Sequence, residues 1–297
     1  MEARVSILLA LALLLSGTQA YAGTEPTHPP LVVFLSDFGT SDDAVAVVKG
    51  VMLGIEPSLR VIDLTHQVRP YAIADGARLL ADTAPYYPAG TVFLAVVDPG
   101  VGTPRRPMVA RSRRGQWFVL PDNGLITLVA DRDGLEATRQ IENPTWMRAA
   151  TISSTFHGRD VFAPVAARLA HGDDWSDVGA PITDPVRLAL RAPALDAREL
   201  RGQVIAVDGP YGNLITDIDA ATFLKLGWGS GDHVPLRLQG RSLEVPFVHA
   251  FGDVPRGTPL LFIDSREHVG LALNQASFAD RYRVAVPCPI VIQRKRR

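Results

Sequence analysis

Two carboxylates stand where ligands are commonly met. Asp37 lies in Ser36-Asp37-Phe38-Gly39, directly after the apolar run Leu31-Val32-Val33-Phe34-Leu35, and Asp98 opens Asp98-Pro99-Gly100 after the run Thr91 to Val97. Short continuous apolar runs of this kind read as strands buried on both faces, as in a parallel sheet, where ligands bind beyond the strands' carboxyl ends. Taken singly, each acid also has an ordinary reading. Asp37 can cap a helix starting near Ser41, and Asp98 before Pro-Gly can be a turn residue. Metal chemistry is poorly served, because the seven histidines are dispersed and none has HxH, HxxxH or HExxH spacing. Cys288 is the single cysteine, which excludes an internal disulfide, a thiolate zinc cluster and a CxxC pair. Flanked by Pro287 and Pro289, it reads as a small buried apolar residue rather than a nucleophile.

The elements that must position these acids alternate. Residues 42–55 have helical spacing and stop before Pro57, 60–64 read as a strand, 72–84 as a helix and 91–97 as a third strand. This rhythm predicts an α/β layer with a largely parallel sheet. Residues 188–199 read as a linker. From Gly202 onward, short apolar runs at 204–207, 234–238, 243–245, 260–263, 269–273 and 282–286 are separated by Gly, Pro and Asp turns. They predict a smaller, barrel-like antiparallel β domain. The expected division is an N-terminal α/β domain over 31–187 and a C-terminal β domain over 200–293.

At 297 residues, 47% hydrophobic and 21% charged, the chain can bury an ordinary core. A net charge of -1, with only the terminal Arg294-Lys295-Arg296-Arg297 clustered, gives no basic field for a phosphate backbone, so nucleic acid is not an expected partner. The N-terminus has a polar start at Glu2 to Arg4, an apolar run at Ile7 to Leu15 too short to span a bilayer, and Ala20-Tyr21-Ala22 as a small-x-small cleavage site. Residues 1–22 are therefore expected to be a signal peptide. The mature protein would start near Gly23, carry no membrane span and be exported, to a periplasm.

Five segments carry a family resemblance: Ser36-Asp37-Phe38-Gly39, Asp98-Pro99-Gly100-Val101-Gly102-Thr103-Pro104-Arg105-Arg106, Pro121-Asp122-Asn123-Gly124, Ser153-Ser154-Thr155-Phe156-His157-Gly158-Arg159-Asp160 and Tyr211-Gly212-Asn213-Leu214. In order and spacing they resemble the S-adenosyl-L-methionine (SAM) hydrolase family, the SAM hydroxide adenosyltransferases related to SAM-dependent chlorinases and fluorinases. The resemblance implies splitting of SAM by water into adenosine and L-methionine, with SAM as substrate, no cofactor and no metal. It places a catalytic set on Asp98, Arg105 and His157. The sulfonium leaves as a neutral thioether, so the demand falls on the nucleophile: water must be aligned with ribose C5′ and made hydroxide-like. Asp98 and His157 can orient water and accept its proton, and Arg105 can stabilise developing hydroxide. Either acid-base partner can take the proton on this reading.

The resemblance also implies binding residues. Asp37 would accept from the ribose diol, Asn213 would pair with the adenine edge, Asp208 would face the methionine ammonium, Phe251 would stack on adenine, and Ser265 with Arg266 would hold the carboxylate. Two departures from the family pattern stand out: Tyr211 replaces a Phe, and Ala276 replaces the Gly of an Asn-x-Gly-Ser segment at Asn274-Gln275-Ala276-Ser277. Because these residues divide between the two parts, the site is expected at a domain interface, and the family implies a homotrimer whose sites are shared between subunits. Three other functions are weighed. A classical methyltransferase lacks its Gly-rich loop after Leu35. Halogenases of the family carry an extra N-terminal-domain loop and lack the Arg and His, whereas this chain runs compactly from Tyr87 to Asp98. An exported nucleoside- or SAM-binding protein without turnover is the alternative from another class.

Overall fold

The computed structural model describes residues 30–148 and 151–296, so the expected signal peptide and its cleavage site lie outside the described residues. The first part is built on β1 (Leu31–Ser36), β2 (Arg60–Thr65), β3 (Val92–Val96), β4 (Pro107–Ser112), β5 (Trp117–Pro121) and β6 (Leu135–Gln140). They form one sheet in the order β2-β1-β3-β5-β4-β6. The β1/β2, β1/β3 and β3/β5 pairs are parallel, while β4 runs antiparallel to both its neighbours.

Helices cover both faces, which is why β1 and β3 read as unbroken apolar runs. Val32 and Phe34 of β1 join Val48 and Met52 of α1 (Ala44–Ile55) in one core. Val33 and Leu35 point the other way, to Ala77 and Leu80 of α2 (Ile73–Thr83) and to Val129 of α3 (Thr127–Asp133). The helix α4 (Ala163–His171) packs with α1 on the first face. From β1 the chain crosses to β2 on one side, while β3 lies on the other. A crevice opens where strand order reverses in this way, between the carboxyl ends of β1 and β3.

The second part is antiparallel, as expected. Its strands are β7 (Ala194–Leu195), β8 (Glu199–Asp208), β9 (Asn213–Asp219), β10 (His233–Leu238), β11 (Arg241–Pro246), β12 (Pro259–Ile263), β13 (His268–Leu273) and β14 (Cys288–Gln293), with short helices α5 (Ala220–Leu224) and α6 (Phe278–Tyr282). The order β11-β10-β14-β8-β9-β13-β12 curls towards closure. Bridge pairing of Phe247 with Leu261 and a Val248 N–H bond to Leu261 O bring the two edges together. Its interior holds Leu200, Val204, Leu214, Leu271 and Ile290. Cys288 is buried in β14, where burial raises its thiol pKa and removes nucleophilic character.

One expected strand is absent. Residues 282–286 fall at the end of α6 and in the turn after it, because Ser277 caps that helix by accepting from Asp280 N and Arg283 takes a left-handed φ of 51° that ends it. The real last strand starts at Cys288, across residues that Pro287 and Pro289 disguise.

Gly270 of β13 is required by packing. A Cβ there would lie 2.6 Å from two ring atoms of Phe262, whose ring sits 5.0 Å from that of Phe251. Gly270→Ala should lower stability by about 1–3 kcal/mol through overpacking, read as an earlier urea midpoint. An unchanged midpoint would contradict this packing.

Candidate active site

The β1 and β3 ends form one wall of a cavity of about 310 Å³ lined by Asp37, Phe38, Tyr71, Asp98, Phe156 and His157, among others. Asp37 does not cap a helix. The N-cap position of α1 belongs to Asp43, and the neighbouring Asp42 accepts from Ala44 N through Oδ1 at 3.1 Å. Asp37 Oδ2 accepts instead from Tyr71 N at 3.0 Å. Tyr71 holds a left-handed φ of 66°, a strained conformation for a side-chain-bearing residue and one that recurs at binding sites.

The other end of the cavity holds a connected acid, cation and imidazole. Arg105 grips Asp98 with two donors, Nε to Oδ1 at 3.1 Å and Nη2 to Oδ2. Nη2 also lies 3.1 Å from His157 Nδ1. The Asp98 and Arg105 side chains are 5% and 8% exposed. Arg105 stands behind the cavity wall, its guanidinium 5.3 Å from the Phe162 ring centre, and Nη1 is a buried donor with no partner among the described residues. A buried donor left in that state costs stability unless a ligand or water meets it.

Guanidinium has no acceptor, so the contact with His157 has Arg105 donating and Nδ1 accepting. The neutral ring then carries its proton on Nε2. Burial pushes the His157 pKa below its ordinary 6.5, and the Arg105 charge pushes the same way, against opposing pulls from Asp98 and Asp160. The ring is thus neutral near pH 7.

Buried carboxylates fix the loops that carry these groups. Asp160, 1% exposed, accepts from Arg159 at 2.7 and 2.8 Å and from Ser153 N at 3.0 Å, which holds the loop on either side of His157. The Arg159 hydrogen bond, the largest influence, keeps the Asp160 carboxyl low in pKa. His157 itself leads into a π-helical turn, Gly158–Phe162. Asp122 accepts from Arg106 at 2.8 Å and from Val186 N at 2.7 Å, while Asn123 donates to Val97 O at 2.9 Å beside Asp98. Sequence reasoning quoted these segments without assigning Asp122, Asp160 or Tyr71 a part. Asp160 had a local signal in the adjacent Arg159 and Tyr71 in the Pro70-Tyr71 pair before α2, whereas Asp122 meets Arg106 only through the fold.

The C-terminal candidates gather elsewhere. Asn213 and Phe251 line a separate cavity of about 700 Å³ with Tyr211, Asn274, Gln275 and Ser277. Asn213 is 8% exposed and its amide makes no hydrogen bond among the described residues, while Phe251 is 45% and Tyr211 69% exposed. Gly212, at φ 72°, lets this turn rest on Ser277, since a Cβ there would lie 2.0 Å from its Oγ. In the Asn274-Gln275-Ala276-Ser277 segment the left-handed residue is Gln275, at φ 55°, so Ala276 in place of Gly strains nothing. Asp208 is half-buried and pairs in register with Asn213. Ser265 is exposed. Arg266 departs from this group. It lines a third cavity, between the two sheets, and lies 3.4 Å from Asp82. Within one chain, then, Asp37, Asp98 and His157 share one cavity, Asn213 and Phe251 another, and the cleft between the sheets holds only Arg266 of the expected set.

Among the described residues there is no group of three His, Cys, Asp or Glu side chains suited to a metal, and no helix long and apolar enough to cross a membrane.

The profile of the SAM hydroxide adenosyltransferase N-terminal domain matches residues 32–179, and that of its C-terminal domain matches residues 202–291. The chain belongs to the SAM hydroxide adenosyltransferase family. It is 42% identical over 260 residues to the (R)-S-adenosyl-L-methionine hydrolase of Salinispora arenicola, covering 84% of this chain and 93% of that one. To the fluorinase of an Actinoplanes species it is 32% identical over 290 residues, covering 89% and 97%. A crystal structure of an uncharacterized conserved protein from Thermotoga maritima matches with a TM-score of 0.84 at 37% identity, over 88% of this chain and 99% of that one.

Gly102 tests the geometry. At φ 74°, its added Cβ would lie 2.2 Å from Ser154 O, so the Asp98 and His157 loops meet at this point. In the wild-type protein the His157 ring should titrate below 6.5 by NMR, and in Gly102→Ala it should move up towards that value as the loops part and water enters. A wild-type midpoint at or above 6.5 would contradict the buried, arginine-facing ring.

Proposed function

We propose that this protein is a SAM hydrolase in which water attacks ribose C5′ and L-methionine leaves, giving adenosine. The observation that carries the reading is the connected Asp98–Arg105–His157 set at the head of a cavity that also holds Asp37. In the proposed reaction the water oxygen bonds to C5′, the C5′–S pair leaves on sulfur as a neutral thioether, and the water's proton goes to the enzyme. With His157 Nδ1 engaged by Arg105, the ring offers an Nε2–H that donates to the water oxygen and orients it. Asp98 is then the proton acceptor. Arg105 acts mainly by holding both groups, with Nη1 left without a partner among the described residues.

Asp37 would bind the ribose diol. Asn213 and Phe251 would take the adenine, with Asp208 and Ser265 at the methionine end and Arg266 reaching them after exchanging its contact with Asp82. Because the two sets of residues occupy separate cavities in one chain, the proposal includes a homotrimer in which the β domain of one subunit closes the α/β cavity of the next. It also includes export directed by residues 1–22, and SAM as the sole small-molecule partner, without cofactor.

Halide is the competing nucleophile, since the fluorinase relatives are 30–32% identical. The hydrolase relatives from Salinispora and Thermus thermophilus are 38–42% identical, which favours water. Purified protein given SAM and chloride should release adenosine and L-methionine in equal amounts. A 5′-chloroadenosine product, or binding of adenosine with no turnover, would replace this reading with the halogenase or the binding protein. His157→Ala should lower kcat by roughly 10²–10⁴ while adenosine Kd changes little, because its contact matters most as the nucleophile develops charge.

Shared sites have their own test. Inactive Arg105→Ala and inactive Asn213→Ala proteins, dissociated and reassembled together, should regain activity as mixed trimers rebuild intact sites. Mixed trimers seen by mass measurement without activity would mean that each chain builds its own site.

A further inference from the structure

Behind Asp37 lies a polar cluster that the proposed chemistry does not use. Ser36, fully buried at the end of β1, has Oγ 2.8 Å from Nδ1 of His66, itself buried. Asp63 Oδ1 lies 3.1 Å from Nε2 of the same ring, without the geometry of a hydrogen bond. Asp63 also accepts from Lys49 of α1 at 2.6 Å. Serine, histidine and aspartate in this order have the connectivity of a nucleophilic triad.

Two observations exclude that use. Ser36 has no exposed surface, so no substrate carbon can reach Oγ. Oγ also accepts a hydrogen bond from Phe38 N at 3.3 Å, inside the loop that follows.

We propose that His66 is a positioning residue: its buried hydrogen bond with Ser36, on a ring flanked by the half-exposed Asp63, locks the β1–α1 loop and so aims the Asp37 carboxylate. The proposal rests on the reading of Asp37 as the diol-binding acid. The hydrogen-bond roles at Ser36 are mutually consistent. Phe38 N makes Oγ an acceptor, the Ser36 hydroxyl donates to Nδ1, and the ring proton sits on Nε2, on the side of Asp63.

The backbone around His66 grips the same loop. Gly39 N donates to His66 O at 2.7 Å, Val68 N to Ser36 O at 3.4 Å, Gln67 Nε2 to Thr40 Oγ1 at 3.1 Å, and Tyr71 N to Asp37 itself at 3.0 Å. The segment after β2 is thus zipped along the loop that carries Asp37. The imidazole also meets the Phe34 ring edge-on at 4.6 Å. Phe34 touches Phe38, and Phe38 touches Phe156, the residue before His157. A Cβ on Gly158 would come within 3.0 Å of the Phe38 ring, so Phe38 lies directly against the His157 loop. The Ser36–His66 hydrogen bond therefore supports the ribose acid directly and the water-handling histidine through an aromatic bridge.

The test compares His66→Leu, which removes the acceptor for Ser36, with His66→Asn, whose side-chain oxygen can stand near Nδ1. Two quantities are read: deuterium exchange of the amides of residues 37–40, and the Kd for adenosine. His66→Leu should speed exchange in that segment by about tenfold or more and raise Kd and KM by a similar factor, with kcat changed much less, because placement of the ribose and not proton transfer is disturbed. His66→Asn should recover most of both effects. Unchanged exchange and Kd in His66→Leu would overturn the proposal, as would equal damage in the Leu and Asn variants, which indicates a purely volume-filling ring. If His66→Leu does not fold, Ser36→Ala serves the same comparison, and protected loop amides in that variant would overturn the proposal. Labelling of Ser36 by a serine-reactive fluorophosphonate would also overturn it. Wild-type protein that fails to bind adenosine would defeat the proposed function while leaving the exchange measurement as the test of the positioning role.

Discussion

The grip of Arg105 on Asp98 and His157 is the interaction on which the rest of the active-site geometry depends. A buried ion pair with a neutral imidazole against it is tolerated only when its members are paired and hydrogen-bonded, so the loops bearing them have little freedom. The same contact dictates the imidazole tautomer, since guanidinium can only donate. Nδ1 thus faces Arg105 and the ring proton sits on Nε2. The remaining devices serve this arrangement: Asp160 and Asp122 hold the flanking segments, and Gly102 allows the two loops to touch.

Fold and site are linked by the reversal of strand order between β1 and β3. Asp37 and Asp98 leave neighbouring strands at the same end, with Asp37 N donating to Val96 O, which brings two carboxylates to one crevice. The β-domain cavity adds a buried amide without a hydrogen-bond partner among the described residues, and the exposed ring of Phe251. Exposed Phe251 and Tyr211 are costly to leave in water, and a ligand or a neighbouring subunit relieves that cost. The proposed shared site would join these two cavities.

Much of this was legible in the sequence. The runs at 31–35 and 91–97 announced strands because both faces are covered, so no polar alternation interrupts them. Asp37, Asp98 and His157 share one cavity, and they stand in three of the four motif segments of the α/β part. Less visible were features that depend on contacts between distant segments. The strand β14 was hidden by prolines, and 282–286 looked extended although Ser277 and Arg283 enclose a helix there. Arg266 was expected at the methionine carboxylate, and its contact with Asp82 arises only when the two sheets face each other. His66 gave no periodic signal, because its meaning lies in a hydrogen bond to a serine on the neighbouring strand.

The central claim is that the oxygen joined to C5′ comes from water held by Asp98 and His157. Incubation of the protein with SAM in heavy-oxygen water, followed by mass spectrometry of both products, tests it most directly. The account predicts one heavy oxygen in adenosine, retained on the 5′ carbon, and none in the freshly released methionine. Adenosine without the heavy atom, or label in methionine alone, would contradict it.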